Sequence, residues 1–347
     1  MCSRFAAQAL SQGNGNMIIC QTPFRVSFFG GGTDFPEWYE ENGGSVLSTS
    51  IDRYCYISCR YLPPFFEHKH RIVYSCIENI KNYDEIKHPA VKGVLSYLEQ
   101  EKGVEIHYNA DLPAHSGLAS SSSFTVGLLN SLLALRGQRI EPKQLAKKAI
   151  YIEREILQEV VGCQDQIAAA YGGFNLITFQ KKDDYKVVPI IIDQERLHAL
   201  QDHLVLYFTG FSRFSSEIEA VKVKKINENQ SLLRNLQAMV SEVVSILSNP
   251  NTSLDEFGKL LDEAWQCKKG LSDKVSLPEI DYMYEIARSA GAKGGKLLGA
   301  GGGGFLLLYA DSPAQVRIRE KLKNCICVNF RFENEGSRIV LYKPDGF

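Results

Sequence analysis

The chain has 347 residues, 44% hydrophobic and 23% charged, which is an ordinary globular composition and long enough for two packed layers of core. Its net charge of −1 offers no electrostatic footprint for nucleic acid or an anionic membrane, and no apolar run approaches bilayer-spanning length. The nine cysteines form no CxxC pair and lack histidines at metal-ligand spacing, so they read as reduced thiols of a cytoplasmic protein.

Residues 1–16 are polar, lack the apolar stretch of a secretory leader and receive no function. The first strand is "MIICQTPFRVSFF" from Met17, running into Gly30-Gly31-Gly32 and then Thr33-Asp34. Residues 45–61 and 71–75, rich in β-branched and aromatic side chains, are predicted strands. A helix is predicted over 88–103, ending at Gly103, and a strand over 104–111. Helices follow over 118–136 and over 142–159, the second opened by Pro142 in its first turn. Strands are predicted at 172–179, 185–192 and 203–210. The pattern is helical from Phe214 to Trp265 and again over 277–292. "FLLLYA", "QVRIREKLK", "CICVNF" and "IVLYK" then read as strand, helix, strand, strand. The change of character near residue 200 divides the chain into 17–200 and 201–347. No Pro/Gly linker marks the division, so the two parts are expected to share an interface.

Three glycine-rich stations stand out. In "DLPAHSGLASSSSF" (111–124) a glycine and four serines lead straight into an apolar helix. A helix start exposes backbone N–H groups without intrahelical partners, and the helix dipole adds positive charge there. Glycine allows close backbone approach and serine adds hydroxyls, so the stretch fits a phosphate. One serine would suffice as a cap, and no Gly-Lys-Ser/Thr follows to make a Walker A loop. The second station is "PFRVSFFGGGTDF" (23–35), where the alternative is a glycine turn capped by Asp34. The third is "KLLGAGGGGF" (296–305), where the alternative is a flexible hinge.

Two carboxylates sharpen the pattern. In the helix over 142–159, Leu145, Ala149, Ile152 and Ile156 make an inward stripe, and Glu153 points to the same side. A buried carboxylate needs a cation or hydrogen-bond donors. Twelve residues on, "GCQDQIAAAYGG" puts Asp165 at the start of a short helix of small residues. The bland alternatives are that Asp165 caps its helix and that Glu153 pairs with a lysine. Together with the glycine stations, the two look like a metal ligand and a base facing bound phosphates.

In this order, "TPFRVSFFGGGTD", "LPAHSGLASSSS", "GCQDQIAAAYGG" and "KLLGAGGGGF" resemble the GHMP kinases, over nearly the whole chain from Met17 on. The resemblance implies an α+β, two-domain fold. Its N-terminal domain would be ribosomal-S5-like and its C-terminal domain ferredoxin-like, with the active site in the cleft between them. "GGGTD", "DQIAAAYGGFN" and "WQCKK" are most similar to the heptose 7-phosphate kinases of that family. Galactokinases have Glu-His where this chain has Gly31-Gly32, and L-fucokinases share the G-x-T-D pattern.

The resemblance implies an ATP-dependent kinase that phosphorylates the anomeric hydroxyl of D-glycero-D-manno-heptose 7-phosphate to the 1,7-bisphosphate. The rivals are a kinase of fucose or galactose and a non-catalytic sugar sensor. Ser116, Gly117, Leu118, Ala119, Ser120, Ser121 and Ser122 would cradle ATP. Ser121 and Glu153 would hold Mg²⁺, Asp165 would be the catalytic aspartate, and Arg25 the basic residue beside it. Gly32, Thr33, Asp34, Gly173, Arg213, Gly301 and Gly302 would contact the substrate. Arg53, Arg213, Lys268 and Lys269 are candidates for a substrate phosphate. The usual "GLGSSA" of the family is "GLASSS" here, so Ala119 stands where a glycine is usual and its methyl group meets a backbone that favours unusual φ. The partner is a small sugar or sugar phosphate; nucleic acid and membrane are not expected, and the oligomeric state, with a homodimer as one option, is not fixed by the sequence.

Overall fold

The structure, a computed structural model, describes residues 17–63, 65–182, 184–211 and 215–343. The strands are β1 (Met17–Phe29), β2 (Gly44–Tyr61), β3 (His70–Val73), β4 (Ile77–Ile80), β5 (Val104–Ala110), β6 (Phe174–Gln180), β7 (Asp184–Pro189), β8 (Leu204–Phe208), β9 (Gly294–Leu297), β10 (Phe305–Tyr309), β11 (Ile326–Val328), β12 (Phe332–Glu333) and β13 (Arg338–Lys343). The helices are α1 (Pro36–Asn42), α2 (Pro89–Tyr97), α3 (Ser120–Leu135), α4 (Pro142–Tyr151), α5 (Gln164–Tyr171), α6 (Gln194–Asp202), α7 (Ser215–Lys224), α8 (Gln230–Ser248), α9 (Asp255–Gly270), α10 (Pro278–Ser289) and α11 (Ser312–Lys321). None of the described helices is long and apolar enough to cross a membrane.

β1 is the reference line of the first sheet. It pairs antiparallel with β2 along most of its length, and the register slips between Pro23 and Phe24. Proline has no N–H for the ladder, so the irregularity falls where the ladder is already broken. The first sheet runs β13–β1–β2–β5–β3–β4, with β6 on the first half of β2 and β12 against its middle. The chain therefore returns to the first sheet at its end, across the division expected near residue 200. α3 lies on β1 and β2 and packs on its other side against α4 and α5.

The second sheet, β11–β8–β10–β9, is antiparallel; β8, β10 and β9 are buried on both faces almost throughout, and the edge strand β11 is partly exposed. Alternation along β10 divides its side chains between two cores: Phe305, Leu307 and Tyr309 join the core of the first sheet, while Leu306 and Leu308 join the core under α10 and α11. Phe257 of α9 packs edge-on against Phe28 and Phe29 at 5.4 and 5.3 Å and tilts against Tyr309 at 5.9 Å. These rings weld the two sheets, which is why no linker separates them.

Several elements differ from expectation, and three of the differences have a clear local cause. α2 stops at Tyr97 rather than near Gly103, because Glu99 takes a left-handed φ of 48° and Gln100 N–H closes back on Leu95 O. Gly103 serves a different purpose: a Cβ there would lie 2.2 Å from Lys69 O. The helix predicted over 142–159 ends as an α-helix at Tyr151 and continues as one π-turn, Ile152–Ile156. The strand β9 was not predicted, since Gly-Gly carries no β signal. Those glycines are required by packing, because a Cβ on Gly294 would lie 1.9 Å from Gly258 O of α9.

Gly294→Ala is expected to lower stability by about 2 kcal/mol or more, since the obstacle is backbone that cannot rotate away. The urea midpoint reads this directly. A midpoint equal to the parent's would mean that α9 can retreat from β9.

Candidate active site

Arg25 projects from β1 into the cleft and is only 4% exposed. Its guanidinium donates twice to Asp165, Nε to Oδ1 at 2.8 Å and Nη2 to Oδ2 at 2.9 Å. Nη1 donates to Gly117 O at 2.8 Å. Asp165 is the second residue of α5, whose N-cap position is Cys163, so it does not cap its own helix. Its side chain keeps 26% exposure towards the cleft.

The serine loop is rigidly seated. Phe305 N–H donates to Ser116 O, and Arg25 N–H to Leu118 O. Gly117 has φ 81°, and a Cβ there would lie 2.6 Å from Leu298 O. Ala119 is left-handed at φ 63°, ψ 30°, the conformation expected to trouble a residue with a methyl group. The first α-helical bond of α3 runs from Ser123 N–H to Ala119 O at 2.8 Å, so the N–H groups of Ser120, Ser121 and Ser122 precede it without intrahelical acceptors.

The four serines have four tasks. Ser120 Oγ accepts from His115 N–H and closes the loop. Ser121 is exposed and lines the cleft. Ser122 Oγ donates to Glu153 Oε2 at 2.9 Å. Ser123 Oγ donates to Pro23 O of β1 at 2.9 Å.

Glu153 sits in the π-turn, where Leu157 N–H reaches back to Ile152 O. Such a turn inserts one extra residue into the helix and is frequent at functional sites. Its Oε2 accepts from Ser122 and from Gln166, whereas Oε1 is buried with no hydrogen-bond partner. Among the described residues no lysine pairs with it. Burial, then the charge of Glu159, pushes its pKa up to about 7.

Asp34 is buried and accepts from Gly32 N–H at 3.0 Å. Its backbone oxygen takes Cys163 N–H, and its carboxylate packs on Gly162, so the "GGGTD" turn fixes the entry to α5. Burial first, then the charges of Asp165 and Glu219, raise its pKa.

A cleft of ≈ 180 Å³ collects Arg25, Gly32, Asp34, Gly117, Ala119, Ser120, Ser121, Ser122, Glu153, Asp165 and Gly301. Ser116 and Leu118 lie beneath it as buried supports, and Thr33 is a buried brace whose hydroxyl bonds Gly30 O. Gly173 and Gly302 do not line the cleft. Gly173 N–H pairs with Glu333 O in the sheet, and Gly302 N–H with Val275 O. Of the basic candidates, Lys268 lines the cleft, whereas Lys269 pairs with Asp281 at 3.4 Å and Arg53 with Asp52 at 3.1 Å outside it. Arg213 lies outside the described residues. Sequence reasoning missed Lys296, a cleft residue whose only signal is a lysine inside the apolar run "GGKLL".

Two family models match the chain, "GHMP kinases N terminal domain" over residues 84–173 and "GHMP kinases C terminal" over 226–326. A D-glycero-alpha-D-manno-heptose 7-phosphate kinase of Campylobacter jejuni is 29% identical, across 92% of this chain and 97% of that protein. A galactokinase of Pyrococcus furiosus is 27% identical, across 85% of this chain and 89% of that one. The crystal structure of a D-glycero-D-manno-heptose 1-phosphate kinase from Bacteriodes thetaiotaomicron shares the fold, with a TM-score of 0.76 and 23% identity over 93% of this chain and 99% of that one.

Breaking the Arg25–Asp165 pair from the arginine side leaves a carboxylate that is only partly solvated. Arg25→Met is expected to lower stability by about 3 kcal/mol, at the low end for a buried pair because Asp165 reaches solvent. Asp165→Asn alone should do less, and the double variant should show a coupling of about 1–2 kcal/mol in a denaturation cycle. Additive losses would mean that the two side chains do not hold each other.

Proposed function

We propose, from the premise that the chain belongs to the GHMP kinases and is an ATP-dependent kinase acting on a sugar hydroxyl, that its acceptor is the anomeric hydroxyl of D-glycero-D-manno-heptose 7-phosphate and its product the 1,7-bisphosphate. The observation that carries the reading is the pairing of Arg25 with a cleft-facing Asp165 beside the serine loop. The acceptor is supported by the Campylobacter relative, matched along 97% of its length. Fucokinase relatives, at 25% and 26% identity, are matched along 31% and 35% of theirs.

Phosphoryl transfer depends mainly on positioning and on stabilising charge. In this reading the loop from Gly117 to Ser122 and the free N–H groups at the start of α3 hold the ATP phosphates. Arg25 fixes the carboxylate plane of Asp165 and leaves each oxygen a further lone pair for the acceptor hydroxyl. Asp165 orients that hydroxyl and takes its proton late, as charge develops on the attacking oxygen. Asp34, whose pKa is raised by burial and then by Asp165 and Glu219, lines the same cleft and would meet a sugar hydroxyl there.

The residues fit Mg²⁺ as well. Glu153 Oε1 is a buried hard oxygen without a partner, and Ser121 adds a hydroxyl in the same cleft. Among the described residues no three His, Cys, Asp or Glu side chains could hold a metal, as suits an ion that takes most of its ligands from phosphates and water. When bound, the ion neutralises charge on the phosphate oxygens.

Asp165→Asn should bind ATP normally and lose roughly 10²-fold or more in turnover, because the shape stays and the proton acceptor goes. Coupled ADP release with heptose 7-phosphate measures it, and turnover within a few-fold of the parent would defeat the mechanism. Run against free heptose, fucose and galactose, the same assay tests the acceptor: equal activity on any of them would displace heptose 7-phosphate. Glu153→Gln should raise the Mg²⁺ concentration needed for half-maximal activity by about tenfold or more, and an unshifted Mg²⁺ curve would remove Glu153 from the metal site.

A further inference from the structure

Two cations in the cleft have no use in the scheme above. Lys268 of α9 and Lys296 of β9 are 8% and 5% exposed, and both line the cleft. Lys268 Nζ donates to Leu297 O at 2.7 Å and Gly299 O at 2.6 Å, and Lys296 Nζ to Phe28 O at 2.7 Å. An ammonium has three donors, so one remains on Lys268 and two on Lys296. Neither has a carboxylate partner among the described residues. The neighbouring acids are already engaged, Asp165 by Arg25 and Glu219 by Lys222 at 2.7 Å. Buried charge without a counter-charge is strongly unfavourable. A protein that keeps two such side chains facing one cleft holds them for an anion.

We propose that Lys268 and Lys296 form a phosphate-binding site on the α9–β9 wall of the cleft. The inference rests on the kinase reading and names residues that neither the family models nor the relatives assign. The ligand chemistry is a phosphate dianion, and a kinase cleft has two sources of it: the acceptor's own phosphate and the phosphoryl group in transfer. The free protein resists these charges. Burial, then Arg25 and Lys222, pushes the Lys296 pKa down to about 7, and burial with Lys296, Lys222 and Arg25 lowers that of Lys268. The other titratable and charged groups lining the cleft are Arg25 on β1, Asp34, His115, Glu153, Glu159, Asp165 on α5, and Glu219 and Lys222 on α7. A phosphate arriving above neutral pH should therefore draw protons onto the lysines.

The test is calorimetric titration of the full chain at pH 8, in two buffers of different ionisation enthalpy. Heptose 7-phosphate and a non-hydrolysable ATP analogue serve as separate probes. The parent should take up protons with whichever probe enters the site. Lys268→Met and Lys296→Met should weaken that probe by roughly tenfold or more and abolish the proton uptake. The same variants, free of ligand, should melt at or above the parent temperature, because they remove a buried amine that burial holds away from its ordinary charged form. Lys268→Gln and Lys296→Gln provide the same reading should a methionine variant fail to fold. Weakening confined to heptose 7-phosphate assigns the site to the acceptor's phosphate. Weakening confined to the nucleotide assigns it to the group in transfer, and that result stands even if no sugar phosphate binds and the acceptor reading falls. Binding of both probes within threefold of the parent, with proton uptake unchanged, would overturn the proposal.

Discussion

The cleft is organised by one buried guanidinium. Arg25 ties α5 through Asp165 and the serine loop through Gly117 O, while its own backbone N–H holds Leu118 O. Two elements distant in sequence are thereby fixed to one residue of β1. A lysine could not replace it, because an ammonium has no planar fork to grip a carboxylate with two parallel bonds and a carbonyl with a third. The neighbouring strand carbonyls extend the same logic. Pro23 O receives Ser123 of α3, and Phe28 O receives Lys296 of β9. Between Pro23 and Phe28, then, β1 is the datum from which the serine loop, Asp165 and the second sheet are all positioned.

The glycines serve a different constraint, the approach of two loops. A Cβ on Gly299 would lie 2.5 Å from Gly117 Cα, and one on Gly304 would lie 2.3 Å from Ser116 O. On Gly301 it would meet Val275 O at 2.6 Å. "GAGGGG" is thus a packed surface on which Gly299, Gly301, Gly303 and Gly304 each meet backbone, and the hinge reading does not describe it. That contact lets a segment from the second sheet close the phosphate loop from below. It also accounts for tolerance of Ala119 in a left-handed conformation: the loop is held by bonds on both sides, and these outweigh a strain of about 1–2 kcal/mol.

Residue types and spacing made the cleft legible where the chemistry is local. The serine run before an apolar helix, the carboxylate on the inner face of the next helix and the aspartate after Gly162 all meet in space. What stayed hidden depends on long-range packing. Nothing local distinguishes Ser122, which reaches Glu153, from Ser121, which faces the cleft. The π-turn that carries Glu153 has no sequence signal of its own. Gly103 looked like a helix stop, and Gly173 like part of the site, because a glycine reports only that backbone is close and not what it is close to. β9 and its Lys296 were obscured together, since a glycine pair erased the strand pattern that would have made a buried lysine conspicuous.

The charges in the cleft point to how its ligands assemble. Burial raises the pKa values of Glu153, Glu159 and Asp34 and lowers those of Lys268 and Lys296. The protein by itself thus disfavours the ionised forms of these acids and bases alike. They do not neutralise one another, because Glu153 is held by Ser122 and Gln166 while the lysines are held by backbone carbonyls. Each set lacks its counter-charge: a cation for the acids, an anion for the lysines. A phosphate alone leaves the carboxylates uncompensated and adds negative charge near them. A cation alone does the reverse to the lysines. On the proposed reading, a phosphate and a cation bound together would each remove an unfavourable interaction that the other meets alone, which would couple their binding free energies reciprocally. Charge stabilisation of this kind is greatest when the cleft is filled and dry, which is where phosphoryl transfer requires it.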